Sequence, residues 1–423
     1  MGGLGLGIDL GSSGLRIALV EPGGPGLVEE ASPYPSHPRG LEQPWGWVTG
    51  LEALCSRLPI ELRRRVGAIA IDGTSGTLLL CRPNGEPGPG PLGQALPFHQ
   101  ACQEQAATAA ALAQHGPACS ASGSLARALH LLAAAAQTKE AGPWLLRHQA
   151  DWLMGWLLGD WRWGEEGNNL RLGWDLQRQA WSGSIGEQPW EPALPEVCAS
   201  GSVLGTLAAE VATQLGLPSD ARVVAGSTDA NAGVLAAEPG RGDGITVLGT
   251  TLVLKQFSPV PIEGAGISCH RVNGDWLVGG ASNAGAGILR RFFNDGEIAA
   301  LSRQIDPSQP SGLTLRPLPE RGERFPVDDP ELEPVLEPRP ISDARYLQAL
   351  LEGLTAIERE GWQRLHQAGA PPLRRVITLG GGARNPQWRR LRQQVLGIPV
   401  LNRPGCSAAL GMARLAASSL LQP

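Results

Sequence analysis

Lysine is almost missing from this chain: among 35 basic residues only Lys139 and Lys255 are lysines. Neither follows a glycine-rich run, so no Gly-x-x-x-x-Gly-Lys-[Ser/Thr] phosphate loop is possible. Nor does a strand lysine accompany His-Arg-Asp and Asp-Phe-Gly segments, which excludes the protein-kinase layout. The seven cysteines are scattered, odd in number and never spaced Cys-x-x-Cys. They indicate neither a disulfide framework nor a zinc site, and a reducing, cytoplasmic setting is expected. The seven histidines show no ligand spacing either. No stretch approaches the roughly 18 uninterrupted apolar residues of a membrane span, and the first residues lack the basic segment of a signal peptide. A net charge of −5 gives no electrostatic reason to expect nucleic acid as a partner. What remains is a globular composition, 42% hydrophobic and 18% charged, over 423 residues, enough for two or three domains with cores of their own.

The stretch Gly7-Ile8-Asp9-Leu10-Gly11-Ser12-Ser13-Gly14 carries the most information. A short apolar run ends in a carboxylate, a Gly/Ser turn follows, and Leu15–Val20 reads as the returning strand of a hairpin. Such a turn offers hydroxyls and backbone N–H groups to an anion beside an acidic group able to hold a metal ion. By itself it is equally an ordinary tight turn. Further on, Leu51–Arg63 has helical periodicity. Val66–Asp72 reads as a buried strand ending in Asp72-Gly73-Thr74-Ser75-Gly76, with Thr77–Arg82 returning. Ala101–Gln114, Leu125–Ala136 and Gln149–Leu158 read as helices. Val223–Gly226 is a short strand leading into Ser227-Thr228-Asp229 and a helix, Ala230–Ala237.

Pro239-Gly240-Arg241-Gly242-Asp243-Gly244 reads as a hinge, after which the pattern restarts. Ile245–Leu248, a Gly249-Thr250-Thr251 turn and Leu252–Phe257 repeat the strand–turn–strand layout of the first residues. Trp276–Gly279 is another strand. Helices over Ala344–Ala368 and Pro386–Val395 flank the strand Arg375–Leu379 and its Gly380-Gly381-Gly382 loop. The chain therefore reads as two α/β halves, 1–240 and 241–423, each opening on a hairpin suited to phosphate.

Two hairpins with Gly/Ser/Thr tips can grip a polyphosphate, and the loop Gly380 to Asn385, between strand and helix, lets the backbone approach a nucleotide. Without a lysine loop, phosphates fall to hydroxyls, amides and Mg²⁺. Asp229 stands at the start of a helix, where it is either an N-cap or a general base that takes the proton of an alcohol attacking a γ-phosphorus.

These loops, in this order, resemble those of the FGGY family of carbohydrate kinases in the actin-like ATPase superfamily. Residues 7–14 look like its first phosphate loop, 226–229 like its catalytic-base segment, 248–251 like its second phosphate loop and 380–388 like its adenosine-side signature. Gly322-Glu323-Arg324-Phe325-Pro326 and Ala408-Ala409-Leu410-Gly411 also resemble family segments. A narrower likeness is to the compact cyanobacterial and plant-type D-ribulose kinases, also described as xylulose kinase-like. It rests on Asp72-Gly-Thr-Ser-Gly-Thr77, Gln149-Ala-Asp-Trp-Leu153, Gly279-Gly-Ala-Ser-Asn283 and Arg321-Gly-Glu-Arg-Phe-Pro326.

The resemblance implies two actin-like (ribonuclease H-like) ATPase domains with the active site in a cleft between them, ATP and Mg²⁺ as cofactors, and a small sugar as substrate. It implies Asp229 as base and Asp9 as a catalytic residue that places the metal. Gly11, Ser12 and Ser13, then Gly249, Thr250 and Thr251, would meet the phosphates. Gly381, Gly382 and Asn385 would line the nucleotide side, and Ser75 and Asp229 would touch the ketose. D-ribulose is the expected substrate, with D-xylulose, another polyol, or a weakly catalytic nucleotide-binding sugar sensor as alternatives. One departure stands out. Larger family members carry a Trp-x-Asp-x-Arg segment that grips sugar hydroxyls, and its counterpart here, Phe98-His99-Gln100-Ala101-Cys102, has neither charge. Asp151 is expected either at the sugar or as a helix cap. Lys255 is expected on a strand surface, and the tryptophans between Trp152 and Trp163 in the core.

Overall fold

Strand β1 (Leu4–Leu10) explains in its own sequence how the first half is layered. Side chains alternate across a sheet, so Leu4, Leu6, Ile8 and Leu10 share one face while Gly5, Gly7 and Asp9 share the other. The computed structural model describes residues 3–35, 39–138, 140 and 142–421; Lys139 lies outside them. Its Cα positions cluster into two units: residues 1–236, 271–274 and 407–423, and residues 237–270 and 275–406.

In the first unit, β1 pairs antiparallel with β2 (Gly14–Val20), which pairs antiparallel with β3 (Gly26–Pro33). Helix α1 (Pro44–Arg57) precedes β4 (Val66–Gly73), which lies parallel to β1. After α2 (Ser124–Ala136) and α3 (Gln149–Leu158) come β5 (Val203–Thr206), β6 (Arg222–Thr228) and α4 (Asp229–Ala236). The sheet order is β5-β6-β4-β1-β2-β3. Its Leu/Ile face buries Leu6, Ile8, Ile69 and Ile71 against Trp47, Leu51 and Leu54 of α1 and Trp152, Leu153 and Leu157 of α3. Each such side chain contributes about 2 kcal/mol by leaving water.

The opposite face is built from small residues and receives α7 (Ala408–Ser419). Ala68, Ala70 and Val224 pack with Met412, Leu415 and Ala416, and Ala18 and Val20 with Ala409, Ala413 and Ala417. Contact is backbone to backbone: a Cβ on Gly7 would stand 1.9 Å from the Ala409 carbonyl oxygen, and one on Gly5 would stand 2.2 Å from that of Ala413. Residues 408–419 thus complete the first unit, whereas the reading from sequence placed everything after 240 in the second half. The Leu-Gly-Leu-Gly alternation of β1 is the physical reason.

In the second unit, β7 (Asp243–Leu248), β8 (Leu252–Ser258) and β10 (Asp275–Ser282) form an antiparallel run, with β9 (Ile267–Val272) at the edge. Beyond α5 (Asp343–Gln367) come β11 (Arg375–Leu379), α6 (Pro386–Leu396) and β12 (Val400–Asn402), and β7, β11 and β12 run parallel. The order β10-β8-β7-β11-β12 repeats β3-β2-β1-β4-β6 strand for strand, three antiparallel and then two parallel. Leu254 and Val278 pack with Tyr346, Leu350, Leu354 and Trp388 of α5 and α6. The repeat inferred from pattern alone is a repeat of topology.

Four local expectations change. Helical structure starts at Pro44 rather than Leu51, since a proline at the first helical position has no N–H to lose. The segment after Thr77 does not return along β4. Leu78–Cys81 instead pairs antiparallel with Leu145–His148, a ribbon of its own. The first helix of the Ala-rich region is short, Ala106–Ala113. Asp243 and Gly244, read as part of the hinge, already belong to β7. The Asp243 carboxylate accepts two bonds from Arg375, Nε–H and Nη2–H, at 2.7 Å each, and the Gly240 N–H at 2.7 Å.

Candidate active site

Parallel strands gather chemistry at their carboxyl ends, and the first sheet does so with carboxylates. Asp9 and Asp72 are register partners on neighbouring strands β1 and β4, and Ser227 on β6 is the partner of Asp72 on its other side. The register of β6 slips between Val224 and Ser227. Gly226 sits in that bulge so close to β4 that a Cβ would stand 1.7 Å from the Ile71 carbonyl oxygen. The chain then turns into α4, with Asp229 as its first residue. Three carboxylates thus converge from three adjacent strands.

Their environments differ. Asp72 is wholly buried, and neither of its carboxylate oxygens meets a hydrogen-bond donor. Burial pushes its pKa well up, and the negative charges of Asp9 and Asp229 add to the shift. Asp9 is buried too. Burial raises its pKa, while a side-chain hydrogen bond shared with the Asp72 carboxyl and the charge of the Arg16 guanidinium, 3.5 Å from Oδ2, pull it down. Asp229 keeps contact with solvent although protein surrounds it on most sides. Burial pushes it up to about 6, the Ala230 N–H, which donates to Oδ1 at 2.7 Å, lowers it, and the charge of Asp9 raises it.

The turn that closes β1 onto β2 is tied by the Gly11 N–H donating to the Gly14 carbonyl at 3.0 Å, leaving Ser12 and Ser13 exposed at its tip. Ser75 is the one partly exposed residue of the 74–77 loop. A buried chain of hydrogen bonds joins these two loops. The Tyr34 hydroxyl donates to the Gly11 carbonyl at 2.7 Å, and the Gln149 Nε2–H donates to the Tyr34 oxygen at 3.1 Å. Gln149 Oε1 accepts from the Thr74 hydroxyl at 2.9 Å and the Thr74 N–H at 3.2 Å. Arg127, fully buried, donates to the carbonyls of Gly76, Pro97, Phe98 and Gln100. It fastens the Ser75 loop to the segment that lacks the Asp/Arg pair.

In the second unit, the Gly249-Thr250-Thr251 turn joins β7 to β8. The Gly249 N–H donates to the Thr251 carbonyl at 3.1 Å, and Thr250 is exposed. Gly380 has φ +81°, and Gly381 faces open space, with nothing within 4 Å of where a Cβ would stand. Gly382 is packed against Leu248 and Trp388. Asn385 caps α6: its Oδ1 accepts the Gln387 and Trp388 N–H groups at 3.0 Å each, and its Nδ2–H donates to Ser302 Oγ at 2.8 Å.

Two side chains lie elsewhere than expected. Asp151 neither meets the first unit's carboxylates nor caps a helix end. Buried inside α3, it accepts the Glu165 N–H at 2.9 Å and the Asn169 Nδ2–H at 3.3 Å. Lys255 is buried rather than on a surface; burial lowers it to about 8, and its Nζ–H donates to Ser268 Oγ at 3.1 Å. Asp72 and Gln149 entered the reading from sequence only as ends of segments that carried the narrower likeness, with no site role, and Tyr34 and Arg127 did not enter it. For Asp72 a signal existed, since Asp9 and Asp72 each close a buried apolar run. For Arg127 none did, because its four partners are backbone carbonyls.

Among known proteins, residues 244–420 match the FGGY family of carbohydrate kinases, C-terminal domain. The chain is 24% identical over 448 aligned positions to the xylulose kinase of Lactococcus lactis, covering 96% of this chain and 86% of that one. Its fold is similar to that of a ligand-bound xylulose kinase from Lactobacillus acidophilus (TM-score 0.79, 14% identity, 99% of this chain and 90% of that one). It is also similar to a Plasmodium falciparum glycerol kinase solved with ADP (TM-score 0.80, 14% identity, 99% and 90%). Residues 244–420 thus resemble the C-terminal domain of FGGY carbohydrate kinases, and the α/β fold of the chain is shared with solved sugar kinases.

Proposed function

We propose that this protein is an ATP-dependent kinase that phosphorylates a ketopentose at its primary hydroxyl, with D-ribulose as the substrate and D-ribulose 5-phosphate and ADP as products. The observation that carries the reading is the convergence of Asp9, Asp72 and Asp229, with Asp229 alone solvent-accessible and of an acidity suited to a base near neutral pH. Asp229 takes the proton from the sugar hydroxyl as its oxygen attacks the γ-phosphorus. Ser75 and Asp229 hold the ketose. In this reading the first unit carries the sugar side and the second unit, which ends before Ser407, the adenosine side.

Phosphoryl transfer asks mainly for alignment and charge neutralisation. The exposed hydroxyls of Ser12, Ser13 and Thr250 and the half-buried one of Thr251 bind the phosphates in place of a lysine, while Gly11 and Gly249, whose N–H groups close their own turns, bring the backbone close to them. Gly381, facing open space, admits the nucleoside, Gly382 lines the loop with its bare side packed on Leu248 and Trp388, and Asn385 holds the loop at the head of α6. The donor set fits Mg²⁺: hard carboxylate oxygens, buried, with one partly shared guanidinium as the only cation near Asp9 among the contacts described. Asp9 would hold the ion, which supplies neutralisation of the charge that develops on the phosphates. Substrate choice is the open point at which this reading can be divided, because the named relatives include xylulose kinases.

The test is ADP release measured with ATP, Mg²⁺ and a panel of D-ribulose, D-xylulose, L-ribulose and glycerol. Turnover on D-ribulose well above the others is expected. Turnover on D-xylulose instead would retain the kinase and replace the substrate. Nucleotide binding with no turnover on any sugar would leave a sugar sensor.

A further inference from the structure

Asp72 is a group the reaction above does not use. It is fully buried, both its oxygens lack a donor, and it lies beside Asp9 in strand register. Its surroundings offer no compensation. Ser227, its register partner on β6, has its hydroxyl engaged with Asn231 Nδ2 at 3.2 Å. Arg16, the guanidinium beside Asp9, is half-exposed and shared with Glu29 at 3.3 Å. Thr74, two residues on, gives both its hydroxyl and its amide to Gln149. A buried carboxylate whose nearest side-chain partner is another carboxyl, Asp9, with only the distant charge of Arg16 to offset it, calls for a proton or a cation between the pair.

Two arrangements would satisfy it. A proton shared with Asp9 would make the pair neutral enough to stay buried, with Asp72 acting as a permanent hydrogen-bond donor. A divalent cation would instead let both carboxylates stay ionised, as hard-oxygen ligands do. The direction of the side chains favours the second. Gly5, Gly7 and Asp9 occupy one face of β1, and Ala68, Ala70 and Asp72 the same face of β4. Helix α7 covers the small residues of that face and leaves the two carboxylates beyond it, where Asp229 also arrives. A third carboxylate raises the negative charge at the strand ends beyond what one shared proton neutralises, and a divalent cation offsets more of it.

We propose that Asp72 is the second carboxylate of the divalent-cation site, acting with Asp9 directly or through a bound water. The proposal rests on the kinase reading only in taking Asp9 as a metal-binding residue. Asp72 carries the second negative charge, and its complete burial makes that charge strongly felt by an ion at the strand ends. In the absence of the ion the pair is a source of repulsion within the sheet.

The experiment compares the intact protein with Asp72→Asn, an isostere of the protonated acid that can still donate to Asp9. Free Mn²⁺ is followed by electron paramagnetic resonance as protein is added, with and without ADP, and thermal unfolding is recorded without metal. Mn²⁺ affinity weaker by about tenfold or more in Asp72→Asn, as for lost metal-supporting groups, is expected. Metal-free unfolding of the variant should come at a higher temperature than that of the natural chain. Native-like Mn²⁺ affinity in the variant would overturn the proposal in favour of the shared proton. So would a variant that unfolds earlier or fails to fold, or a natural chain that binds no Mn²⁺ in either condition. None of these readouts involves sugar turnover, so the absence of kinase activity would leave the assignment of Asp72 to be decided on Mn²⁺ alone.

Discussion

At the level of single residues, the site separates three chemically identical carboxylic acids by environment. Asp229, accessible and pushed up to about 6, is the one poised to exchange protons. In the proposed reaction Asp229 is the base and works only when ionised, so turnover should fall as pH drops through about 6, by about tenfold for each unit below it. Initial rates from pH 4.5 to 8 at saturating ATP check this. Asp229→Asn, with the proton acceptor removed, should cut kcat by about 10²–10⁴-fold and flatten that acid limb. An unaltered pH profile in the variant would assign the limb to another group. Asp229 was legible in sequence because a polar run between strand and helix announces itself. Tyr34 and Gln149 were not: their value lies in meeting 115 positions apart, joining the Gly11 and Ser75 loops, and no local pattern encodes such a meeting.

Among the elements, the second sheet and its helices are bound by one buried ionic network. The Arg392 guanidinium of α6 donates twice to Glu358 of α5, at 2.6 Å each, and once to Thr378 of β11, and Thr246 of β7 donates to Glu358, both also at 2.6 Å. Four elements meet at one charge pair that is almost wholly inaccessible. Arg392→Met leaves Glu358 uncompensated and should cost about 3–5 kcal/mol, while adding Glu358→Gln should restore much of the loss. Urea titration of the two variants and the natural chain measures it. Recovery absent in the double variant would mean the pair is not the source. The short segments that carried the narrower likeness also have a physical explanation here. Glu323 accepts from the Ser282 hydroxyl at 2.5 Å, the Asn283 N–H at 2.7 Å and the Arg324 N–H at 2.9 Å. Gly280 gives way to the Phe325 ring, which a Cβ there would approach to 2.4 Å. Two motifs far apart in sequence are the two halves of one latch.

For the whole molecule, strands and long helices were legible because period-2 and period-3.6 patterns are local. The hairpin layout seen twice in the sequence opens both sheets, whereas their strand order emerges only from the structure. What could not be seen was which sheet a given helix covers. Ala408–Ser419 is rich in alanine and offers no directional cue of its own, and its destination is set by the bare glycines of β1. Gly7→Ala should therefore act as overpacking of a rigid backbone contact, costing about 1–3 kcal/mol or more. Thermal unfolding of the first unit followed by proteolysis should show it, and native stability in that variant would mean the helix can move aside.

That helix also seats against α4, where a Cβ on Gly411 would fall 1.8 Å from the Ala232 carbonyl oxygen, so the ground under Asp229 is laid by residues made after position 407. On the ribosome, the six strands of the first sheet emerge early and wait with a glycine- and alanine-lined face uncovered while the whole second unit is synthesised. A nascent chain stalled before Ala408 would hold Asp9, Asp72 and Asp229 in sequence yet lack the helix that seats α4 and covers that face.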